Sequence, residues 1–322
     1  MNTPPQPAAP LRVVCLTMNP CVDLATETDQ VVPTHKLRCG ETLHDAGGGG
    51  VNVARVLTRL GGDCTALCPA GGSTGQWLQK RMADEGLRSV FLPIAGETRV
   101  SFTVHEQRSG AEFRFVMPGP LLSEAEWRAC LRWLEAADHF PDLLVASGSL
   151  PPGVPPGFDA HLARVCRERG ARLVLDTSGP ALAAALAEGV YLFKPNLREL
   201  AELTGRSLDT PEQWQAAARE LVTQGRAEVV ALTLGHLGAV LATREGVWAA
   251  PALDIPVASA VGAGDSFVAG MVWGLQQQWA LPEAFAWGIA AGSAALLTAG
   301  TGLAHPPDVV RLRQQVRVQR VG

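Results

Sequence analysis

Within residues 258–271, Ala-Ser-Ala-Val-Gly-Ala-Gly-Asp-Ser-Phe-Val-Ala-Gly-Met, a Gly262-Ala263-Gly264 turn is followed at once by Asp265 and an apolar helix. Two glycines permit a tight turn and close backbone approach to a ligand. The unpaired amides of a helix's first turn can face a phosphate that is gaining negative charge. The helix dipole keeps a carboxylate at that lip ionised, where it can accept a proton from an attacking hydroxyl. Gly262, Ala263, Gly264 and Asp265 therefore read as an anion hole with a base, the parts of a phosphoryl transfer. Asp and Gly also suit the start of an ordinary capped helix, and this segment alone leaves both readings open.

A second glycine-rich stretch, Gly47-Gly48-Gly49-Gly50, feeds a helix that runs through Val51-Asn52-Val53-Ala54-Arg55 to about Leu60 and stops at Gly61-Gly62. No Gly-Lys-Ser/Thr follows, which excludes a Walker A loop, and the spacing does not meet Gly-x-Gly-x-x-Gly. The run allows close approach of a small polar ligand, with Asn52 able to donate and accept hydrogen bonds. Further on, Asn196 precedes Glu199 by three residues, the spacing of a capping box. A cap at the active edge of a sheet would also hold Glu199 near a magnesium ion or its waters.

The elements that must position these residues alternate. β-rich runs at 11–17, 142–146, 172–175, 190–193 and 229–233 are interleaved with helical patterns near 75–85, 123–137, 158–169 and 180–187. Regular alternation implies right-handed crossovers and a mostly parallel sheet flanked by helices, an α/β fold. Such a sheet binds ligands at the carboxyl ends of its strands. There the chain puts polar residues: Asp23, just past the first strand, then Ser149, Asp176, Lys194, Asn196, Thr233 and Asp265. Two stretches break the alternation. Residues 31–45 are polar and carry His35, Lys36, Arg38 and His44. Residues 98–117 alternate as Arg99-Val-Ser-Phe-Thr-Val and Phe113-Arg-Phe-Val-Met, like strands exposed on one face. Together they predict a small β-sheet lid inserted at about 21–45 and 96–117 of a single domain over 11–322, with a loose tail at 1–10.

Composition narrows the class. The chain has 322 residues, 47% of them hydrophobic, enough for a sizeable core. A formal net charge of -4 argues against a surface-wide nucleic-acid footprint but allows a local phosphate pocket. Seven scattered cysteines without a Cys-x-x-Cys pair support neither a disulfide framework nor a zinc site. The apolar run 284–299 is short for a bilayer and rich in Gly, Ala and Ser, as a tightly packed internal helix would be. No membrane segment or signal peptide is expected, and the location expected is cytoplasmic. The dispersed histidines form no His-Glu-x-x-His helix.

The order and spacing of Gly47 to Asn52, Asn196 to Glu199 and Val261 to Asp265 resemble the PfkB carbohydrate kinases, of ribokinase-like fold, over about residues 11–303. The segments 45–55, 113–119, 147–153 and 290–295 are most similar to the minor bacterial 6-phosphofructokinase branch. The run Met18-Asn19-Pro20-Cys21-Val22-Asp23 is more similar to the 1-phosphofructokinase and tagatose-6-phosphate kinase branches. The resemblance implies ATP-dependent, magnesium-assisted transfer to a phosphorylated ketohexose. It assigns Asp265 as base for the O1 hydroxyl and the amides of Gly262 to Gly264 to the transferring phosphoryl group. It assigns Lys194, Asn196 and Glu199 to the nucleotide phosphates and Mg2+, the latter through water, and Thr233, Gly235 and Gly238 to the nucleotide. Asp23, Gly48, Gly49 and Asn52 would hold sugar hydroxyls with Ser149 nearby. Lys36, Arg38 and Arg99 would face the sugar phosphate with help from Arg114, since a dianion calls for a local cationic cluster. A homodimer through the lid is implied. Thr298 and Gly302 depart from the Asn and Arg of a monovalent-cation loop, so potassium activation is left open. The alternative from another class is a silent sugar-phosphate sensor.

Overall fold

The computed structural model describes residues 11–136 and 140–322. The tail expected at 1–10, and Ala137 at the end of one expected helix, lie outside the described residues. The chain opens with β1 (Val13–Leu16), then β2 (Cys21–Thr28), β3 (Leu43–Gly47), α1 (Gly49–Arg59), β4 (Cys64–Ala70) and α2 (Gly72–Asp84). It continues through β5 (Ser89–Pro93), β6 (Arg99–Glu106), β7 (Glu112–Phe115), α3 (Glu124–Glu135), β8 (Leu143–Ser147), α4 (Phe158–Glu168), β9 (Arg172–Asp176) and α5 (Gly179–Glu188). The second half holds β10 (Val190–Phe193), α6 (Leu197–Thr204), α7 (Pro211–Thr223), β11 (Ala227–Thr233), β12 (Ala239–Thr243) and β13 (Gly246–Ala250). It ends with α8 (Ala263–Gln276), α9 (Leu281–Leu296), α10 (Pro306–Arg313) and β14 (Gln319–Arg320).

Ten strands form the main sheet in the order β14-β13-β12-β11-β10-β9-β8-β1-β4-β5. From β11 to β5 every pairing is parallel, as the alternation predicts. The β11–β14 edge differs, because β11, β12 and β13 pair antiparallel through short connections that leave no room for a crossover helix, and β14, which returns only after α8 to α10, pairs antiparallel with β13. Side-chain alternation sorts the strands onto two faces. Val13 and Cys15 enter one core with α1, α2, α8, α9 and α10, whereas Val14 and Leu16 enter the other with α3 to α7. Helices α8 and α9 pack at backbone distance, since a Cβ at Gly270 would collide with the Trp287 carbonyl. The helix expected from 284–299 is thus internal, but begins earlier and ends at Leu296.

A separate four-stranded sheet, β3-β2-β6-β7, carries the lid. Strand β2 runs parallel to β6 over its whole length and antiparallel to β3, so Asp23 stands opposite both Asp45 and Ser101. Asp23 is therefore inside a lid strand, not in the turn after β1, because Pro20 only breaks the chain before a new strand begins.

Candidate active site

In the main sheet, β1 is the point where the strand order turns back, with β4 on one side and β8 on the other. A crevice opens at such a point, and the glycine run is fitted into it. A Cβ at Gly49 would collide with the Ser147 hydroxyl at the end of β8, and one at Gly50 with the Leu16 carbonyl at the end of β1. Gly48 adds a positive φ of 106°. The stretch is glycine because it packs against strand ends as well as for any ligand's sake. Gly47 meets the Asp23 carboxylate in the same way.

Gly262 takes a left-handed conformation (φ 72°, ψ 3°) and starts α8. The first helical bond runs from the Ser266 amide to the Gly262 carbonyl, so the Gly264 and Asp265 amides have no acceptor within the helix. Gly262 lies against Leu303, with no space for a side chain, and a Cβ at Gly264 would stand 3.3 Å from Lys194 Nζ. The lysine follows β10, is only 5% exposed, and pairs with Asp176 at 3.2 Å. Burial alone would depress its ammonium, but Asp176, Glu199 and Asp265 outweigh this and raise it above the ordinary lysine value. Lys194 is thus a fixed cation beside the free amides at the start of α8.

Asp265 accepts a hydrogen bond from Asn52 Nδ2 at 2.9 Å, which joins α8 to α1 across 213 residues of sequence. Its carboxyl is pushed up to about 6, first by burial and then by the Asp176 charge, while the Asn52 bond and Lys194 pull it down. The Asp23 charge raises it further, by the smallest of these effects. Asp23 itself is raised by burial and held back by the Cys21 thiol, Arg99, Arg114 and Arg55. Cys21 Sγ donates to its Oδ1 at 3.0 Å.

On the other side of Gly264 a cleft of about 750 Å³ is lined by Asn196, Thr233, Gly235, Gly238 and Ala263 together with Gly264. That volume suits a small-molecule site, for which roughly 300–1,000 Å³ is usual. Leu253, Ile255, Phe267, Ile289 and Leu296 supply apolar walls, and Ser293 a hydroxyl. The sequence reading missed these walls. Their signal was the alternation Leu253-Asp254-Ile255 between Pro251 and Pro256.

Asn196 and Glu199 form a reciprocal capping box, each side chain 2.9 Å from the other's main-chain N. This structural role uses Glu199 Oε2 only. Among the described residues no group of three or more acidic, Cys or His side chains could hold a metal unaided. Asp176, Glu199, Asp265 and Asp23 outnumber Lys194, so a polyphosphate entering here needs a divalent cation of its own. The donor set fits Mg2+, which keeps most of its waters and takes one or two carboxylates plus substrate phosphates.

The cations expected at the sugar phosphate are not gathered. Lys36 and Arg38 are exposed in the segment between β2 and β3, and no hydrogen bond or ion pair ties either side chain to the cleft among the described residues. Arg114 is exposed on β7 near Asp23. Arg99 is half-buried and bound to carbonyls, with Nε and Nη2 on Asn19 and Nη1 on Met117. Ser149 is exposed and accepts from Asn19 Nδ2 at 3.1 Å. Beneath the lid, sequence reasoning also missed a buried network: Arg55, 1% exposed, binds Asp45 and Glu85, and Asp45 accepts from Thr301 Oγ1 at 2.6 Å. Burial would raise Asp45, but Thr301, Arg55 and Arg81 hold it below the usual carboxylate value. In the loop after α9, Thr298 Oγ1 donates to the Leu303 carbonyl, and the Gly302 carbonyl accepts from Arg59.

The profile of the pfkB family carbohydrate kinases matches residues 16–308. The chain is 47% identical over 300 residues to ATP-dependent 6-phosphofructokinase isozyme 2 of Mycobacterium tuberculosis H37Rv, covering 93% of this chain and 88% of that protein. It is 32% identical over 309 residues to 1-phosphofructokinase of Bacillus subtilis 168, covering 96% and 100%. Among solved structures, phosphofructokinase-2 of Escherichia coli in complex with fructose-6-phosphate superposes with a TM-score of 0.88 at 39% identity, covering 95% and 99%. That protein has also been solved in complex with potassium and in a tetrameric inhibited form. No helix among the described residues is long and apolar enough to cross a membrane.

Proposed function

Because this chain belongs to the pfkB family of carbohydrate kinases and is an ATP-dependent sugar-phosphate kinase, we propose that it phosphorylates fructose 6-phosphate to fructose 1,6-bisphosphate. The observation that carries the site reading is the position of Asp265 and Gly264. Gly264 lines the nucleotide-sized cleft, and the adjoining Asp265 is bound by Asn52 and feels the charge of Asp23. ATP occupies the cleft with its base among Leu253, Ile255 and Ile289 and its phosphates toward Asn196, Thr233, Gly235, Gly238 and Lys194. Glu199 would hold, through water, a Mg2+ arriving with the nucleotide, and the bound ion would supply charge neutralisation.

Asp265 accepts the proton of the O1 hydroxyl, held in register by Asn52. The Gly264 and Asp265 amides and the buried Lys194 ammonium stabilise charge on the transferring group, where preorganised donors act without reorganising. Asp23, Gly48, Gly49, Asn52 and Ser149 hold the sugar hydroxyls. Arg99 and Arg114 meet the sugar phosphate, and Lys36 and Arg38 join them when the lid approaches. We treat 11–322 as one kinase domain with its lid at 21–45 and 96–117, acting in the cytoplasm. Exposed Leu43, Phe115, Val116 and Met117 support pairing of two lids in a homodimer. The carbonyl contacts of the loop after α9 leave potassium dependence to titration.

ADP release with Mg2+ and ATP should be fastest with fructose 6-phosphate, slower with fructose 1-phosphate and tagatose 6-phosphate, and slowest with free fructose. Preference for fructose 1-phosphate would favour the second reading, which rests on the 1-phosphofructokinase relative and the Asn19-Pro20-Cys21-Val22-Asp23 run. Binding without turnover on any sugar would favour a sensor.

A further inference from the structure

Asn19 stands where several segments of the acceptor side cross. It lies between β1 and β2 and is 6% exposed. Its Nδ2 donates to Ser149 Oγ at 3.1 Å, reaching the loop after β8. Its carbonyl accepts Arg99 Nε at 3.3 Å and Nη2 at 3.0 Å, at the first residue of β6. Arg99 Nη1 reaches the Met117 carbonyl at 3.0 Å, where the chain leaves the lid. Two residues on, Gly119 is fitted to the same amide: a Cβ there would collide with Asn19 Oδ1.

That Oδ1 is buried without a partner. Exchanging the amide's O and N changes nothing in this respect, since Oδ1 would then accept from the Ser149 hydroxyl and Nδ2 would be left over. A half-satisfied buried amide is costly, and apolar packing would fill the space more cheaply. Its retention calls for a task that the amide performs.

We propose that Asn19 is a positioning residue for the sugar phosphate. Its side chain sets the Ser149 hydroxyl and its carbonyl seats the Arg99 guanidinium, so that the contacts to sugar and phosphate are held in one register. The inference rests on Ser149 and Arg99 facing the acceptor, as proposed above. Asn19→Ala removes the side-chain half and leaves the carbonyl.

The test uses the full chain, with steady-state kinetics against each substrate and thermal shift with sugar phosphate alone. Asn19→Ala should raise the KM for sugar phosphate about tenfold, the worth of one buried hydrogen bond, and leave the KM for ATP unchanged. The double variant with Ser149→Ala should bind no worse than Ser149→Ala alone, because the pair acts as a unit. An unchanged sugar KM, an equal rise for both substrates, or simple additivity overturns the proposal. Should Asn19→Ala fail to fold, Gly119→Ala displaces the amide from outside and should give the same sugar-specific rise; no rise overturns the proposal equally. A wild type that neither binds nor phosphorylates any sugar phosphate removes the parent reading and this one together. An active wild type with indifferent variants removes only this one.

Discussion

The two halves of the proposed site, the nucleotide side and the acceptor side, are built differently. Asn196, Thr233, Gly235, Gly238 and Gly264 converge on one cleft from the ends of main-sheet strands and the start of α8. On the acceptor side Asp23 sits in a lid strand, Arg114 is exposed, and Lys36 and Arg38 stand apart. Elements packed on both faces fix the first set before any ligand arrives. The second set hangs from a sheet whose strands come from two distant stretches, joined to the main domain at Asn19, Arg99 and Met117. On the proposed reading, the chemistry is preorganised where the strands are packed on both faces, and selection of the acceptor falls to residues on the smaller sheet.

The sharpest way to break that contrast is Gly262→Ala. The residue needs a left-handed backbone and has no room beside Leu303. The variant should lower kcat about 10²-fold, as loss of an oxyanion donor does, while the KM for sugar phosphate stays near wild type in steady-state assays. A change confined to that KM would mean that the nucleotide side does not carry the chemistry.

The pH profile comes next. Burial pushes the Asp265 carboxyl up to about 6, and as the proposed base it must be ionised to take a proton. The limb of kcat/KM below that pH should therefore fall about tenfold per unit. A profile flat down to pH 5 would remove the carboxylate as base. Smallest is Arg114→Ala, which should raise the KM for sugar phosphate by about tenfold, as expected for one charge-assisted bond, with kcat and the KM for ATP unchanged.

Legibility in the sequence followed the same divide. The parallel strands and their polar ends could be read because each depends on a local period and a nearby turn, and Lys194 fell where strand-end logic put it. Asp265 instead lies in the first turn of α8 beyond a loop, where its glycine turn and not a strand end puts it. The antiparallel edge from β12 to β14 was not foreseen, since β12 and β13 are short strands without a helix between them and β14 spans only 2 residues, too few for a periodic signal. Arg55 reads as an ordinary helix charge; only the pairing of β2 with β3 brings Asp45 to it, and only the loop after α9 brings Thr301. Arg99 was expected at a phosphate and is found on two carbonyls, a contact no spacing encodes. The glycine run was legible as close approach, but its neighbours, Ser147 and Leu16, required the fold.

The most direct test is Asp265→Asn, followed by single-turnover transfer, calorimetric binding of both substrates, and thermal unfolding. The raised carboxyl stabilises the fold fully only below its ordinary value of 3.8, and that stability is lost as pH rises through about 6. At pH 7 the amide should therefore unfold later, with a gain of about 1–3 kcal/mol, bind both substrates, and transfer about 10²–10⁴-fold more slowly. Near-normal transfer by a variant that is no more stable than the wild type would contradict the account.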